Sequence, residues 1–174
     1  RLAAAVEALQ KAGVSVTGIV ADVATADGRK QTLERALGAL GGLDILVNNA
    51  GGVRAGRLER VTEEDILAMI AVDLTAPILL TRAALPVLRA GGEGMVVNIS
   101  SGLGLVGAPF YATYAGAKAG LARFGEALRR ELKGEGVHVQ QVAYSTYHDG
   151  LTQICVGCRA VRSSIDDTRK EATP

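Results

Sequence analysis

The sequence predicts an α/β fold, in which a parallel β-sheet is covered by helices on both faces. Short apolar runs alternate four times with longer segments of helical spacing. Each run is apolar along its whole length, which is typical of parallel strands buried on both faces. The composition agrees, because 48% hydrophobic residues and 22 glycines, without tryptophan, suit an α/β protein better than an aromatic β-sandwich. At 174 residues the chain has the size of one domain.

Helix and strand signals follow one another in order. Good helix formers before Gly13 predict a helix over 1–12, and helical spacing before Gly41 and Gly42 predicts another over 24–40. Thr62 precedes three acidic residues, a cap and first turn that favour a helix over 62–89. The last predicted helix covers 109–133, and the predicted strands cover 14–20, 44–47, 95–99 and 137–142.

Composition and charge exclude several classes of protein. Disordered chains are strongly charged, whereas only 21% of these residues are charged and the net charge is +1. The same balance argues against nucleic-acid binding, which needs a positive excess. No apolar run reaches the ~18 residues of a membrane span, and the longest, 76–88, is interrupted by Thr81 and Arg82. We therefore expect a cytoplasmic protein without a nucleic-acid or membrane partner.

The two ends of the chain carry expectations of their own. The sequence opens with Arg1 and shows no secretory signal, and the missing initiator methionine indicates a piece of a longer chain. The tail, 144–174, holds both cysteines and shows no helix or strand period. We expect two parts: a folded domain over 1–143 and a divergent, poorly ordered tail over 144–174.

Polar residues stand where the predicted strands end. Asp22 follows the first strand, Asn48 and Asn49 follow the second, and Ser100 and Ser101 follow the third. Ligands of open parallel sheets bind at the carboxyl ends of the strands, so these residues mark the expected site. The glycine after Ala50, Gly51, permits close approach of the backbone there.

The most informative spacing joins Ser101, Tyr114 and Lys118. Tyr114 and Lys118 lie four apart in a predicted helix and hence on one face. A nearby ammonium favours the phenolate, and a tyrosine tuned in this way performs general acid–base chemistry. Taken alone, the pair is a weak signal, because most such pairs are a packed ring on a helix surface.

Four motifs together resemble the short-chain dehydrogenase/reductase family. The segments 21–23 (ADV), 44–51 (DILVNNAG), 96–101 (VVNISS) and 114–118 (YAGAK) occur in the family's order and spacing. The resemblance covers about 1–143. It implies a Rossmann-type, doubly wound sheet that lacks the family's first βαβ segment. It also implies an oxidoreductase that interconverts a small-molecule alcohol and a carbonyl with NAD(P)(H), the choice between NAD and NADP being undetermined.

The resemblance also implies roles for catalytic residues. Tyr114 would be the general acid/base, Ser101 would polarise the substrate oxygen, and Lys118 would bind the nicotinamide ribose and lower the pKa of Tyr114. Asp73 aligns with the proton-relay asparagine of the family, which acts largely through its main-chain carbonyl and a helix kink. A buried carboxylate at that position would raise the local electrostatic cost.

Further residues are implied for cofactor binding. Asp22 and Val23 would contact the adenine, and the turn Asn49, Ala50 and Gly51 would let the backbone approach the cofactor while asparagine side chains tie neighbouring strands. From the residues alone, an N-cap of the following helix is an equally good interpretation of Asp22. Asn48 and Asn49 are also typical of a turn.

Two departures from the family leave an alternative open. The Gly-rich phosphate loop is missing at the start, and the Pro-Gly turn expected after Ala143 is replaced. We hypothesise that the tail comes from a shifted reading frame or a broken gene. The alternative function is a catalytically silent fragment that acts as a binding or structural module. In either case the family associates as dimers or tetramers through the helices at 62–89 and 109–133.

The remaining candidates carry weaker signals. Cys155 and Cys158 have redox or zinc spacing near His148, but a zinc site needs further ligands, so we expect no metal and free thiols. His138 is expected to be structural. Three arginines recur at every third position after the glycine turn: Arg54, Arg57 and Arg60. We expect them in a solvated loop, and the alternative is that they face an anionic substrate.

Overall fold

The computed structural model describes residues 2–145 and 152–156, with side chains described for 2–143. The helices are α1 (Leu2–Lys11), α2 (Ala26–Leu40), α3 (Glu63–Ile70), α4 (Ala76–Ala90) and α5 (Ala112–Glu131). The strands are β1 (Ile45–Asn48), β2 (Gly94–Ser101), β3 (Val137–Ser145) and β4 (Thr152–Val156). The alternation confirms the predicted α/β class, and every predicted helix is present to within a few residues.

The described strands form one sheet in the order β1-β2-β3-β4. The first three run parallel, as predicted, and β4 runs antiparallel to β3. β4 is not predicted by the sequence, because residues 152–156 belong to a segment with no helix or strand period.

The predicted strand at 14–20 is wrong. These residues adopt irregular structure, and Val20 is 77% exposed. A strand needs a neighbour to satisfy its backbone hydrogen bonds, and in the described part of the chain 14–20 has no sheet partner. A β-branched composition favours a strand but does not supply that partner.

One face of the sheet packs against α4 and α5. Residues of β2 are buried alternately, and Val96 is fully buried on the helical face. At Gly94 an added Cβ would lie 2.7 Å from the Leu88 carbonyl oxygen, so only glycine lets α4 approach β2 this closely. The buried cluster of this layer consists of Ala84, Leu88, Val96, Leu128, Leu132, Val137 and Val139.

The other face is covered less fully than the sequence predicts. Ile45 and Val47 of β1 point away from α4 and remain 54% and 53% exposed. Helices on both faces were expected, and in the residues that the structure describes this part of the second face lacks its cover.

An asparagine ties the strands together on the helical face. Asn48 Nδ2 donates to Asn98 Oδ1 on β2 at 2.8 Å and to Thr81 Oγ1 on α4 at 3.0 Å. Both asparagines are buried, so the hydrogen bonds replace water that the amides have lost. The expected role of this motif in joining neighbouring strands is confirmed for Asn48.

A long helical segment runs from α3 through a π-helical turn (Ala71–Thr75) into α4. By length and composition, Glu63–Ala90 would suffice to cross a membrane, with a mean hydropathy of 1.7 over its most apolar window. Core helices of soluble proteins share these properties. In this structure Ala84 and Leu88 are fully buried in the core cluster, and Asp73 lies buried in the π-helical turn.

We expect Leu88→Ala to destabilise the fold. Leu88 has no exposed surface and packs against β2, so truncation should leave a cavity and lower the free energy of unfolding by about 2–5 kcal/mol. Leu40→Ala is the matched control, because Leu40 is 68% exposed and should change stability by less than about 0.5 kcal/mol. Urea unfolding measures both, and equal losses would contradict this description of the core.

Candidate active site

The candidate site lies at the carboxyl ends of β1 and β2. Ser101 is the last residue of β2, whereas Tyr114 and Lys118 come from the first two turns of α5. Asp73 comes from the π-helical turn, and Gly51 follows β1. The structure therefore brings together residues that lie up to 67 positions apart in sequence, counted from Gly51 to Lys118.

A buried ion pair forms the centre of this site. Lys118 Nζ lies 3.2 Å from Asp73 Oδ1, and the two side chains are only 5% and 0% exposed. Lys118 Nζ also donates to the Ile99 carbonyl oxygen at 3.1 Å. Among the ion pairs of the described residues, this is the pair with both partners buried, since every other has side chains at least 32% exposed.

The glycines after β1 make room for the carboxylate. At Gly51 an added Cβ would lie 2.5 Å from Asp73 Oδ1 and 3.4 Å from Lys118 Nζ. The next residue, Gly52, donates its backbone N–H to Asp73 Oδ2 at 3.3 Å. The expected close approach of backbone at Gly51 is therefore present, and the group that it accommodates is the ion pair.

Tyr114 stands beside the ion pair. Lys118 Nζ lies 5.7 Å from the centroid of the Tyr114 ring, and the phenol hydrogen-bonds the Ser101 side chain. Partial burial raises the pKa of Tyr114, the Ser101 hydrogen bond acts in the opposite direction, and the negative charge of Asp73 raises it further. The resemblance implies a lowered pKa for Tyr114, whereas in this structure the pKa is raised, chiefly by burial.

Ser100 was expected at the end of its strand without a role of its own, and in the structure it fixes the position of α5. Its hydroxyl donates to the Lys118 carbonyl oxygen at 3.3 Å, and Ser100 is buried. Opposite it, a Cβ on Gly104 would lie 2.9 Å from the Lys118 carbonyl carbon, so the turn after β2 also packs tightly on α5. The period of two along β2 is the signal that would have placed Ser100 toward the helices.

The second group of candidates lies between α2, β1 and α4. Val23, Asn49 and Ala50 line one largely apolar cavity of about 160 Å³. This cavity brings together three of the residues that the resemblance assigns to cofactor binding.

Asp22 shapes the turn that precedes α2. Its Oδ1 accepts the Ala24 backbone N–H at 2.9 Å, and Asp22 is exposed. The N-cap is Thr25, whose Oγ1 accepts the Gly28 N–H at 3.0 Å. The alternative interpretation of Asp22 as the helix N-cap is therefore wrong.

The arginines after the glycine turn are solvated. Arg54 pairs with Asp65 at 3.0 Å and is 55% exposed, and Arg57 is 65% exposed. Within the described residues, no group of three or more potential ligands is placed to hold a metal. His148 and Cys158 lie outside the described residues, and so does the side chain of Cys155.

Most of the chain matches the model of one protein family. The family model for the short chain dehydrogenase matches residues 1–153. The chain belongs to the short-chain dehydrogenase family. The match extends beyond residue 143, where the resemblance read from the motifs ended.

Curated relatives of this family are similar over most of the chain. A 3-oxoacyl-(acyl-carrier-protein) reductase of Synechocystis sp. is 37% identical over 131 residues, which are 75% of this chain and 53% of the relative. An uncharacterized oxidoreductase of Thermotoga maritima is 35% identical over 141 residues, 81% of this chain and 55% of the relative. The chain thus spans about half the length of the curated relatives it matches.

Solved structures confirm the fold. A metagenomic short-chain oxidoreductase in complex with NADP matches with a TM-score of 0.77 and 34% identity, over 82% of this chain and 65% of that chain. A short-chain dehydrogenase/reductase from Burkholderia xenovorans matches with a TM-score of 0.78 and 30% identity, over 85% and 60%. The chain has the Rossmann-type fold of this family.

We expect Gly51→Ala to disturb the ion pair. The new Cβ would overlap Asp73 Oδ1, so the substitution should lower the free energy of unfolding by about 1–3 kcal/mol. Gly52→Ala is the control, because its Cβ would meet only Arg54 Nη1, at 3.7 Å, and the backbone donor is kept. Chemical denaturation compares the two variants, and equal stability would argue against the packing described for Gly51.

Proposed function

We propose that this chain carries the catalytic part of an NAD(P)(H)-dependent oxidoreductase that interconverts a carbonyl and an alcohol by hydride transfer. The observation that carries the proposal is the assembly of Ser101, Tyr114, Lys118 and Asp73 at one end of a Rossmann-type sheet. The named reductase among the relatives and the NADP complex among the solved structures support the same reaction and cofactor class.

The residues present fit part of such a cofactor, which would supply or accept the hydride. Lys118 offers a cation beside the Gly51 backbone, where a ribose hydroxyl would bind. Asn49, Ala50 and Val23 surround the cavity at the edge of β1, where we place the adenine contacts together with Asp22. A pyrophosphate-binding loop has no counterpart among the described residues. These residues do not discriminate NAD from NADP.

The chain's own residues would handle the proton and the substrate oxygen. The Tyr114 phenol would donate its proton to the carbonyl oxygen during reduction and take it back during oxidation. The Ser101 hydroxyl, already bonded to the phenol, would hydrogen-bond the same oxygen and hold it at the phenol. Asp73 would act in the place of the family's relay residue by holding Lys118 through their ion pair.

We further propose a cytoplasmic homo-oligomer acting on a small molecule. Leu67 and Ile70 of α3 are 58% and 37% exposed, and apolar side chains of this kind suit a subunit interface. The interface would involve the helical segments predicted at 62–89 and 109–133, giving a dimer or a tetramer.

A silent binding module is the second candidate. It is favoured by the half-exposed apolar side chains of Ile45 and Val47 on β1, which offer a surface to a partner. Titrating the chain with NADH and with NADPH, followed by nucleotide fluorescence, separates the two. Tight, saturable binding of either nucleotide would eliminate the silent module, whereas no binding would count against the enzyme.

In an active form of the protein, Tyr114→Phe should lower kcat by orders of magnitude while cofactor affinity stays nearly unchanged, because only the proton-transferring hydroxyl is lost. Tyr111→Phe is the matched control, since Tyr111 precedes α5 and is not assigned a catalytic role. Steady-state reduction of a panel of ketones measures both. Retained activity in Tyr114→Phe would remove Tyr114 from the mechanism.

A further inference from the structure

Asp73 is a carboxylate where the family pattern has a neutral asparagine, and it pairs with Lys118, which in turn lies beside the Tyr114 ring. We propose that Asp73 balances the charge of Lys118, keeps Tyr114 a neutral phenol, and so sets the site to donate a proton to a carbonyl rather than to take one from an alcohol. The proposal rests on the proposed function and adds a preferred direction to it.

The geometry places both charges where they act on the phenol. Asp73 Oδ1 lies 3.2 Å from Lys118 Nζ, and Nζ lies 5.7 Å from the centroid of the Tyr114 ring. Asp73 Oδ1 is buried and accepts no hydrogen bond from the described residues, so the ammonium is what balances its charge. With both side chains at most 5% exposed, water screens these charges far less than at the surface.

Among the side chains that the structure describes, the other groups around Tyr114 leave this charge balance to Asp73 and Lys118. The end of β2 offers the Ser101 hydroxyl, and Ser100 is engaged with the Lys118 carbonyl oxygen. The turn Gly102–Gly104, which packs on α5, carries no titratable side chain. On α3, the Asp65 carboxylate pairs with Arg54, and on β3 His138 lies at the opposite end of the sheet, in register with Met95.

The sign of the effect follows from the two charges. An unbalanced ammonium at this distance would stabilise the phenolate, whereas the carboxylate opposes ionisation and offsets the ammonium. The pKa of Tyr114 is raised by burial, with Asp73 among the causes, which agrees with that balance. The protonated phenol therefore persists at neutral pH.

The protonated phenol is the form that carbonyl reduction requires. A hydride from the reduced nicotinamide would add to the carbonyl carbon, and the Tyr114 O–H would break as its proton passes to the carbonyl oxygen. The products are the alcohol, the oxidised nicotinamide and a phenolate that solvent reprotonates. Alcohol oxidation needs the phenolate from the start, so it would begin only at alkaline pH.

Titration of Tyr114 in the chain itself tests the proposal. The ultraviolet absorbance of tyrosinate is followed with pH, and Tyr114 is assigned by difference from Tyr114→Phe. In Asp73→Asn the midpoint should move to lower pH, because the ammonium is no longer offset. In Lys118→Met it should move to higher pH, because the carboxylate alone opposes ionisation. Asp65→Asn, which alters an exposed carboxylate, should leave the midpoint in place.

Shifts of the Tyr114 midpoint in opposite directions in Asp73→Asn and Lys118→Met support a charge balance. A purely structural role for the ion pair does not predict opposite shifts. An unchanged or raised midpoint in folded Asp73→Asn would overturn the proposal. If that variant does not fold by circular dichroism, the absence of an upward shift in Lys118→Met would overturn it instead.

The titration needs neither cofactor nor turnover, so its result is separate from the proposed function. A chain that shows the two opposite shifts but never turns over refutes the enzyme and keeps the charge balance. A chain that reduces ketones without the shifts refutes the charge balance alone. In an active form, Asp73→Asn should also extend alcohol oxidation to lower pH.

Discussion

The buried ion pair between Lys118 and Asp73 determines how several parts of the fold meet. Two charges removed from water are costly unless their geometry and remaining hydrogen bonds compensate. Here the compensation comes from separate elements: the Ile99 carbonyl on β2 accepts from the ammonium, and the Gly52 backbone after β1 donates to the carboxylate. Both strands and both helical segments are therefore fixed relative to one another at the end of the sheet where the candidate chemistry takes place.

A second polar arrangement lies deeper on the same face. Asn48 and Asn98 are joined across β1 and β2, and Gln141 occupies the matching register position on β3. A Cβ on Gly125 of α5 would lie 2.9 Å from Gln141 Oε1, so glycine lets the helix cover these amides. Within the described part, Asn98 Nδ2 and both polar atoms of the Gln141 side chain have no hydrogen-bond partner. The amide side chains at matching register positions, together with apolar packing, therefore help to position α5. This helix carries Tyr114 and Lys118.

Local patterns in the sequence predicted the helices and three parallel strands, because periodicity and caps are properties of neighbouring residues. The site residues came from the spacing of Ser101, Tyr114 and Lys118 and from the family resemblance, which alone pointed to Asp73. What the local patterns missed depends on distant partners. Residues 14–20 have strand composition but no neighbouring strand, and β4 pairs with β3 without a pattern of its own. The pKa direction of Tyr114 was mispredicted for the same reason: Lys118 lies four residues away on one helix, whereas the burial and the Asp73 charge that raise the pKa come from other segments.

The presence of a carboxylate at this buried position is better explained by chemistry than by stability. Replacing a buried ion pair by apolar residues of similar volume is often neutral or stabilising, so a fold that needed only packing here would not require Asp73 and Lys118. Their position is specific: the pair adjoins the Tyr114 ring, and glycine stands at Gly51, where any larger residue would collide with the carboxylate. The surrounding backbone is thus shaped around two charges whose combined field acts on one phenol, and control of that proton is the role that the arrangement supports.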